Sequence, residues 1–302
     1  YTQMEKNFSL FWGLSIQMYE STLVSDNSPF DQFMSSPSGP GNPLALSNAA
    51  QQGMFVFLGP GGCIFCHKGA EFTGAATEQL VTSNAQGSLL EHMIMGDGNP
   101  ALYDSGFYNI GVQPPTLDIG VGGADPFGNP LSLTRLAKAI NPGPFTYSFS
   151  VALDQFSVNA CNFQVDPCLG VTNTSRDAVD GSFKVPGLRN VELTGPYFHN
   201  GSRSTLEQVI EFYNRGGDRR GPLNADSSAY GANPTNLDPA IQPLHLSSVD
   251  ITNLVAFLKA LTDERVRWEQ APFDHPSLVI PNGEVGDETR VYHIGINWDA
   301  MD

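Results

Sequence analysis

The chain has 302 residues, 40% of them hydrophobic, enough to bury one large core or two small ones and unlike a disordered tail. Its 31 Asp and Glu against 15 Lys and Arg give a formal net charge of −16. That argues against nucleic acid or an anionic membrane surface as partner, since both would repel it, while a basic redox protein or a small neutral substrate stays compatible.

The first predicted element, Asn7 to Glu20, is apolar nearly all round and reads as a buried helix. The most apolar run, Phe8 to Val24, is interrupted by Gln17 and Glu20. It falls short of the roughly 20 apolar residues a spanning helix needs, so no membrane span is expected. Ser28-Pro29-Phe30-Asp31 breaks the helix, and Ser35 to Pro43 reads as a Ser/Gly/Pro linker. A second helix is predicted after Ser47, through Phe55 to about Leu58, stopped by Gly59-Pro60-Gly61-Gly62. From Gly96 to about Asp180, Gly, Pro, Asp and Asn recur every few residues. This stretch reads as a long irregular excursion with one short helix around Leu131 to Ile140. Ser204-Thr205-Leu206-Glu207 then fits a capping box, and Leu206, Val209, Ile210 and Tyr213 follow at helical spacing up to Gly216-Gly217. A last helix opens near Ser248 with Ile251, Leu254, Val255, Leu258 and Leu261 on one stripe. After Pro272 the tail reads as extended, and no repeat is visible.

Cys63-Ile64-Phe65-Cys66-His67 carries the chemistry. Two thiols three apart reach both vinyl groups of one porphyrin, and the adjacent His then lies under the iron. A zinc site would want a second Cys pair, and a thioredoxin-like pair would not need the His. The motif therefore predicts one covalent haem c on Cys63 and Cys66 with His67 as iron ligand. Such haems are attached outside the cytoplasm, so a periplasmic or extracellular location is expected. No signal peptide opens the sequence, which points to a secreted precursor or to further N-terminal chain. The other two cysteines, Cys161 and Cys168, suit a short-loop disulfide in that compartment, with two free buried thiols as the alternative.

Three further blocks are Phe183-Lys-Val-Pro-Gly-Leu-Arg-Asn190, Leu193-Thr-Gly-Pro-Tyr-Phe-His-Asn-Gly201 and Thr205-Leu-Glu-Gln-Val-Ile-Glu-Phe-Tyr213. With Tyr19-Glu20, Ser28 to Asp31, Phe107-Tyr-Asn-Ile-Gly111 and Leu254 to Leu261, they resemble the C-terminal haem domain of bacterial di-haem cytochrome c peroxidases and the methylamine-utilisation di-haem enzyme. The matches scatter over most of Phe8 to Pro272, and are weaker from about Pro114 to Val179 and after Pro276.

The resemblance implies an oxidoreductase with two haems. Its second iron ligand is Met in the peroxidases and Tyr in the methylamine-utilisation enzyme; the matching position here is Tyr213. A phenolate is a hard anionic oxygen that lowers the potential and stabilises oxidised iron. Tyr213 equally suits simple packing beside Leu206, Val209 and Ile210, and Met93 and Met95 are competing donors. His199 falls in a matching block and is expected to touch a haem propionate or order the distal loop. Arg189 could meet a propionate, or form an ordinary ion pair. Thr194 and Pro196 match positions whose carbonyls help bind a structural calcium, with further ligands from the other haem domain. His92, His245, His275 and His293 carry no motif.

Only one Cys-x-x-Cys-His is present. The second haem, where peroxide reacts, is therefore expected on a missing N-terminal domain or on another subunit. The expected fold is all-α: a cytochrome c-like helical haem domain over 47–271 with an irregular Gly/Pro-rich insertion at about 97–180, preceded by a helix and linker at 1–46 and followed by a tail at 272–302. The function implied is that of a six-coordinate His/Tyr haem exchanging electrons with a second haem. The competing reading is a non-enzymatic electron-transfer cytochrome, or the cytochrome subunit of an assembly.

Overall fold

The computed structural model describes residues 2–36, 41–76, 90–140, 149–150, 157–158, 175–218, 236–274, 278–281 and 291–294. In chain order these form helices α1 (Gln3–Lys6), α2 (Phe8–Glu20), α3 (Pro29–Met34), α4 (Asn48–Leu58), α5 (Leu133–Ile140), α6 (Leu206–Asn214), α7 (Ser248–Lys259) and α8 (Glu264–Arg267). The strands are β1 (Leu90–Ile94), β2 (Pro100–Asp104), β3 (Phe107–Tyr108), β4 (Phe149–Ser150), β5 (Ser157–Val158), β6 (Phe183–Lys184), β7 (Leu278–Pro281) and β8 (Val291–Ile294). They pair antiparallel as β1 with β2, β3 with β6, β4 with β5 and β7 with β8.

The fold is therefore mixed α and β, and the all-α expectation is corrected. Short strands do not need the long periodic runs that mark helices. Part of the Gly/Pro-rich stretch folds as a hairpin, where Gly98 with φ 80° turns β1 into β2. Ala101, Leu102 and Tyr103 of β2 are buried. Asp104, buried with them, accepts hydrogen bonds from the backbone N–H of Leu133 (2.7 Å) and Thr134 (2.8 Å) and from Ser132 Oγ (2.9 Å). It thereby satisfies the first orphan donors of α5.

The chain divides into two compact units, Tyr1–Ala45 with Thr262–Asp302, and Leu46–Leu261. In the first, α2 forms where predicted, but none of its residues is buried and Trp12 is 61% exposed. The expectation of a buried helix is corrected: with apolar residues on every side, α2 has no single face to direct onto a neighbour. The segment read as its breaker starts α3. Ser28 Oγ accepts from Asp31 N–H (3.2 Å) while Asp31 accepts from Ser28 N–H (2.9 Å), with Pro29 in the first turn. The side chain of Asp263 accepts from the N–H of Asn27 (3.0 Å) and is paired with Arg265, which also reaches Asp26 (2.7 Å).

The second unit is built on α4 packed against α7. Ser47 caps α4 by accepting from Ala50 N–H (3.1 Å). Ser247 and Asp250 form a reciprocal capping box on α7. The two helices approach so closely at Gly53 that a Cβ there would lie 1.9 Å from the carbonyl oxygen of Asn253. Phe57 of α4 and Phe257 of α7 pack with Phe72 in a three-ring core, centroids 5.2 to 6.4 Å apart. The cap of α6 is Thr205, one residue later than the predicted Ser204. Thr205 Oγ1 accepts from Gln208 N–H (3.3 Å), and Gln208 Oε1 accepts from Ser204 N–H (2.7 Å).

Candidate functional site

Within the unit Leu46–Leu261 lies an apolar cavity of about 480 Å³. Its walls come from the Cys63–His67 turn, the segment around Phe183–His199, helix α6, residues Asp238–Leu244 and the inner face of α7. α4 ends at Gly59, whose N–H donates to Phe55 O (2.9 Å), and Gly62 with φ 61° swings the chain into a 3-10 turn over Cys63–Phe65. Both thiols face the cavity, and neither is in a disulfide. Burial pushes each up to about 12, so they are neutral at physiological pH.

His67 also lines the cavity. Its Nδ1 lies 3.0 Å from Phe72 O and 3.1 Å from Pro186 O. A carbonyl only accepts, so Nδ1 carries the proton and is shared between the two. Burial lowers the His67 pKa against the effect of those bonds. The ring is thus a neutral imidazole with its Nε2 lone pair free for a metal. The same two segments meet twice more: Thr73 Oγ1 donates to Val185 O (2.5 Å), and Arg189 Nε donates to Ala70 O (2.8 Å).

Tyr213 lines the cavity from α6, packed edge-on to Phe198 and Phe212. Burial, and then Cys66, Cys63 and Asp238, all raise its pKa, so the phenol faces the same space as the thiols. His199 is also in the wall; it stacks flat on Phe183 (3.7 Å, 7°) and its Nε2 lies 3.0 Å from Asp118. Arg189 does not line the cavity. It holds the loop after His67, over the Phe72 ring (6.0 Å) and 3.9 Å from Glu71.

Thr194 and Pro196 are wall residues, but two carbonyls fall well short of the 6 to 8 oxygens calcium takes. Among the described residues no group of three or more His, Cys, Asp or Glu side chains is placed to hold a metal. Met93 and Met95 stand outside the wall and pack instead with Tyr103 and Ala178. His92 and His245 are likewise outside it. Cys161, Cys168, His275 and the side chain of His293 lie outside the described residues.

Tyr108 and Asp238, both in the wall, were not singled out in the sequence. Tyr108 falls in a block already singled out, Phe107 to Gly111, which could have drawn attention to it. Asp238 had no signal. It is buried, accepts from Ala240 N–H (2.8 Å), and its pKa is pushed up to about 6 by burial and by nearby Glu91.

Two free thiols and an oriented imidazole around one apolar cavity suit a flat macrocycle bonded at its edge and ligated at its centre. Comparison with known proteins agrees. A cytochrome-c peroxidase of Denitromonas iodatirespirans is 29% identical over 251 residues, 82% of this chain and 48% of that protein. The methylamine utilization protein MauG of Paracoccus denitrificans (strain Pd 1222) is 41% identical over 95 residues, 29% of this chain and 24% of that protein. MauG of Methylorubrum extorquens is 23% identical over 250 residues, 83% of this chain and 43% of that protein.

The chain is a homologue of the bacterial di-haem cytochrome c peroxidases and MauG.

It spans about half the length of the peroxidases it matches. These homologues imply a c-type haem. No protein-family model matches. A solved MauG-like protein associated with microbial copper homeostasis aligns at TM-score 0.45 and 22% identity, over 83% of this chain and 55% of that one. Among the described residues no helix is long and apolar enough to cross a membrane.

Proposed function

We propose that this chain supplies one haem of a peroxidase-like oxidoreductase that works outside the cytoplasm. Cys63 and Cys66 would hold the haem through their thiols, His67 Nε2 would ligate its iron and Tyr213 would supply a second donor from the same wall. When bound, the haem supplies a one-electron iron centre. The observation that carries the reading is the shared Nδ1–H of His67 beside two free thiols, with Tyr213 in the same cavity wall.

Each residue then has a defined task. Phe72 O and Pro186 O fix the imidazole tautomer and strengthen it as a donor. The apolar wall of Leu206, Ile210, Leu254 and Leu258 excludes water and holds the macrocycle. Tyr213, as a phenolate ligand, would favour the oxidised metal and disfavour peroxide binding at this site. Peroxide would then meet a second haem, on another domain or subunit, with which this site would exchange electrons. A calcium on the carbonyls of Thr194 and Pro196 would need further oxygens from that same partner.

The test is direct. The protein, expressed with a haem-attachment system, is measured for covalent haem by intact mass and then mixed with peroxide alone and with its partner haem domain. One haem per chain, with peroxide-dependent spectral change only when the second haem is present, is the expected result. Covalent haem with only reversible one-electron redox under both conditions would favour a plain electron carrier.

A further inference from the structure

Beside the cavity wall lies a polar cluster that the proposed haem chemistry leaves unused. Tyr108 is in the wall, and its phenol is close enough to Glu91, Cys66 and Asp238 for each of them to disfavour its ionisation, behind the larger effect of burial. Behind it sits Tyr103, 3% exposed, with ring centroids 5.7 Å apart and planes at 48°. The Tyr103 O–H donates to the carboxylate of Glu91, and its oxygen also lies 3.7 Å from Met93 Sδ. The antiparallel register explains the contact, because Glu91 of β1 stands directly opposite Tyr103 of β2. Glu91 is only half-buried, so its carboxylate communicates with solvent.

An ordinary cross-strand pair would be satisfied by any hydrogen bond. This one joins three features a redox relay needs: an aromatic ring in the cavity wall, a second ring in contact with it, and a base on the second phenol. Both phenols are held neutral, since burial and the Glu91 charge raise the pKa of Tyr103 well above its usual value. A neutral phenol is hard to oxidise unless its proton leaves with the electron, and that requires an acceptor within hydrogen-bond reach.

We propose that Tyr108 and Tyr103 form a relay that carries an electron from the β1–β2 hairpin to the cavity, with Glu91 receiving the phenolic proton of Tyr103. The inference rests on the haem reading above. Hydrogen peroxide is the oxidant: it takes two electrons and two solvent protons and leaves as two waters. One electron would come from the peroxide-reactive partner domain and one from Tyr103 by way of Tyr108. The Tyr103 O–H bond breaks, its proton goes to the Glu91 carboxylate, and a neutral phenoxyl and a neutral carboxylic acid remain. Glu91 then returns its proton to solvent. The oxidising equivalent is thereby moved out of the cavity to a hairpin near the surface, where an external reductant can meet it.

The experiment uses full-chain holoprotein carrying ring-deuterated tyrosine, with its partner haem domain present, treated with hydrogen peroxide and freeze-quenched for electron paramagnetic resonance. A tyrosine radical whose hyperfine pattern narrows on deuteration is expected. It should be lost in Tyr103→Phe, and its formation should slow by about ten-fold or more in Glu91→Gln, which keeps the side-chain shape and removes the base. An unaltered thermal midpoint in Glu91→Gln separates the proton role from hairpin stability. A radical undiminished in both variants overturns the relay. So does a protein with covalent haem whose spectrum changes with peroxide but which shows no tyrosine radical, and then the haem reading stands; an unaltered spectrum overturns both. Absence of covalent haem on Cys63 and Cys66 overturns both.

Discussion

On the proposed reading, Tyr213 would decide what kind of iron centre the cavity makes. Burial, both thiols and Asp238 all oppose its ionisation, so it can serve as a phenolate only if a metal supplies a larger opposing charge. Tyr213→Phe should therefore convert a six-coordinate ferric haem to a five-coordinate, high-spin one and raise its midpoint potential, both readable by optical spectroscopy during redox titration. An unchanged low-spin spectrum would exclude Tyr213 as ligand. Asp238 makes a separate prediction. Its carboxyl has an ordinary value of 3.8 in the unfolded chain and about 6 in the fold, so the folded state favours the protonated form. Stability should fall as pH rises from about 4 through about 6, and Asp238→Asn should recover up to about 3 kcal/mol above that window with little effect below it. Chemical denaturation of the haem-free protein at pH 4 and pH 7 measures this; a variant equally stabilised at both would contradict it. The cysteine motif and Tyr213 were legible in the sequence because spacing and family blocks mark them. Asp238 was not, since a lone carboxylate in Asn236-Leu237-Asp238-Pro239 reads as a solvated turn until the fold buries it.

The crossing of α4 and α7 is the element whose failure would reach the site fastest. Gly53 leaves no room there, and the obstacle is the backbone of Asn253 rather than a movable side chain. Gly53→Ala should thus cost roughly 1–3 kcal/mol or more by overpacking, although alanine is the better helix former. Ser247→Ala, which removes one half of the α7 capping box, should cost only about 1 kcal/mol. Thermal melts of the two variants rank them, and a reversed order would show that the helices can separate cheaply. Helices α4, α6 and α7 were readable because each has a cap, a stripe and a stop. The hairpin of β1 and β2 was not: its strands are five residues each, too short for periodicity, and its Gly and Asn look like breakers. α2 was misjudged in another way, since an apolar sequence establishes a preference for burial but not the presence of a cover.

For the whole molecule, a charge of −16 acts at long range and makes a kinetic prediction. Reduction by a basic redox protein should slow steeply as ionic strength rises, while reduction by a neutral small molecule should barely change. Stopped-flow rates across a salt series test this, and equal salt dependence for both donors would argue against an electrostatically guided partner. Long-range organisation also bears on the imidazole. The segments 67–73 and 185–189 are far apart in sequence, yet one N–H of His67 is divided between a carbonyl five residues away and another 119 residues away. Such a divided bond behaves as a vernier. A few tenths of an ångström of slip between the two segments would shift the proton's allegiance from one carbonyl to the other and alter how strongly Nε2 gives to iron. The potential of the centre would then register how firmly two remote stretches of chain are clasped, making the haem a gauge of the fold around it.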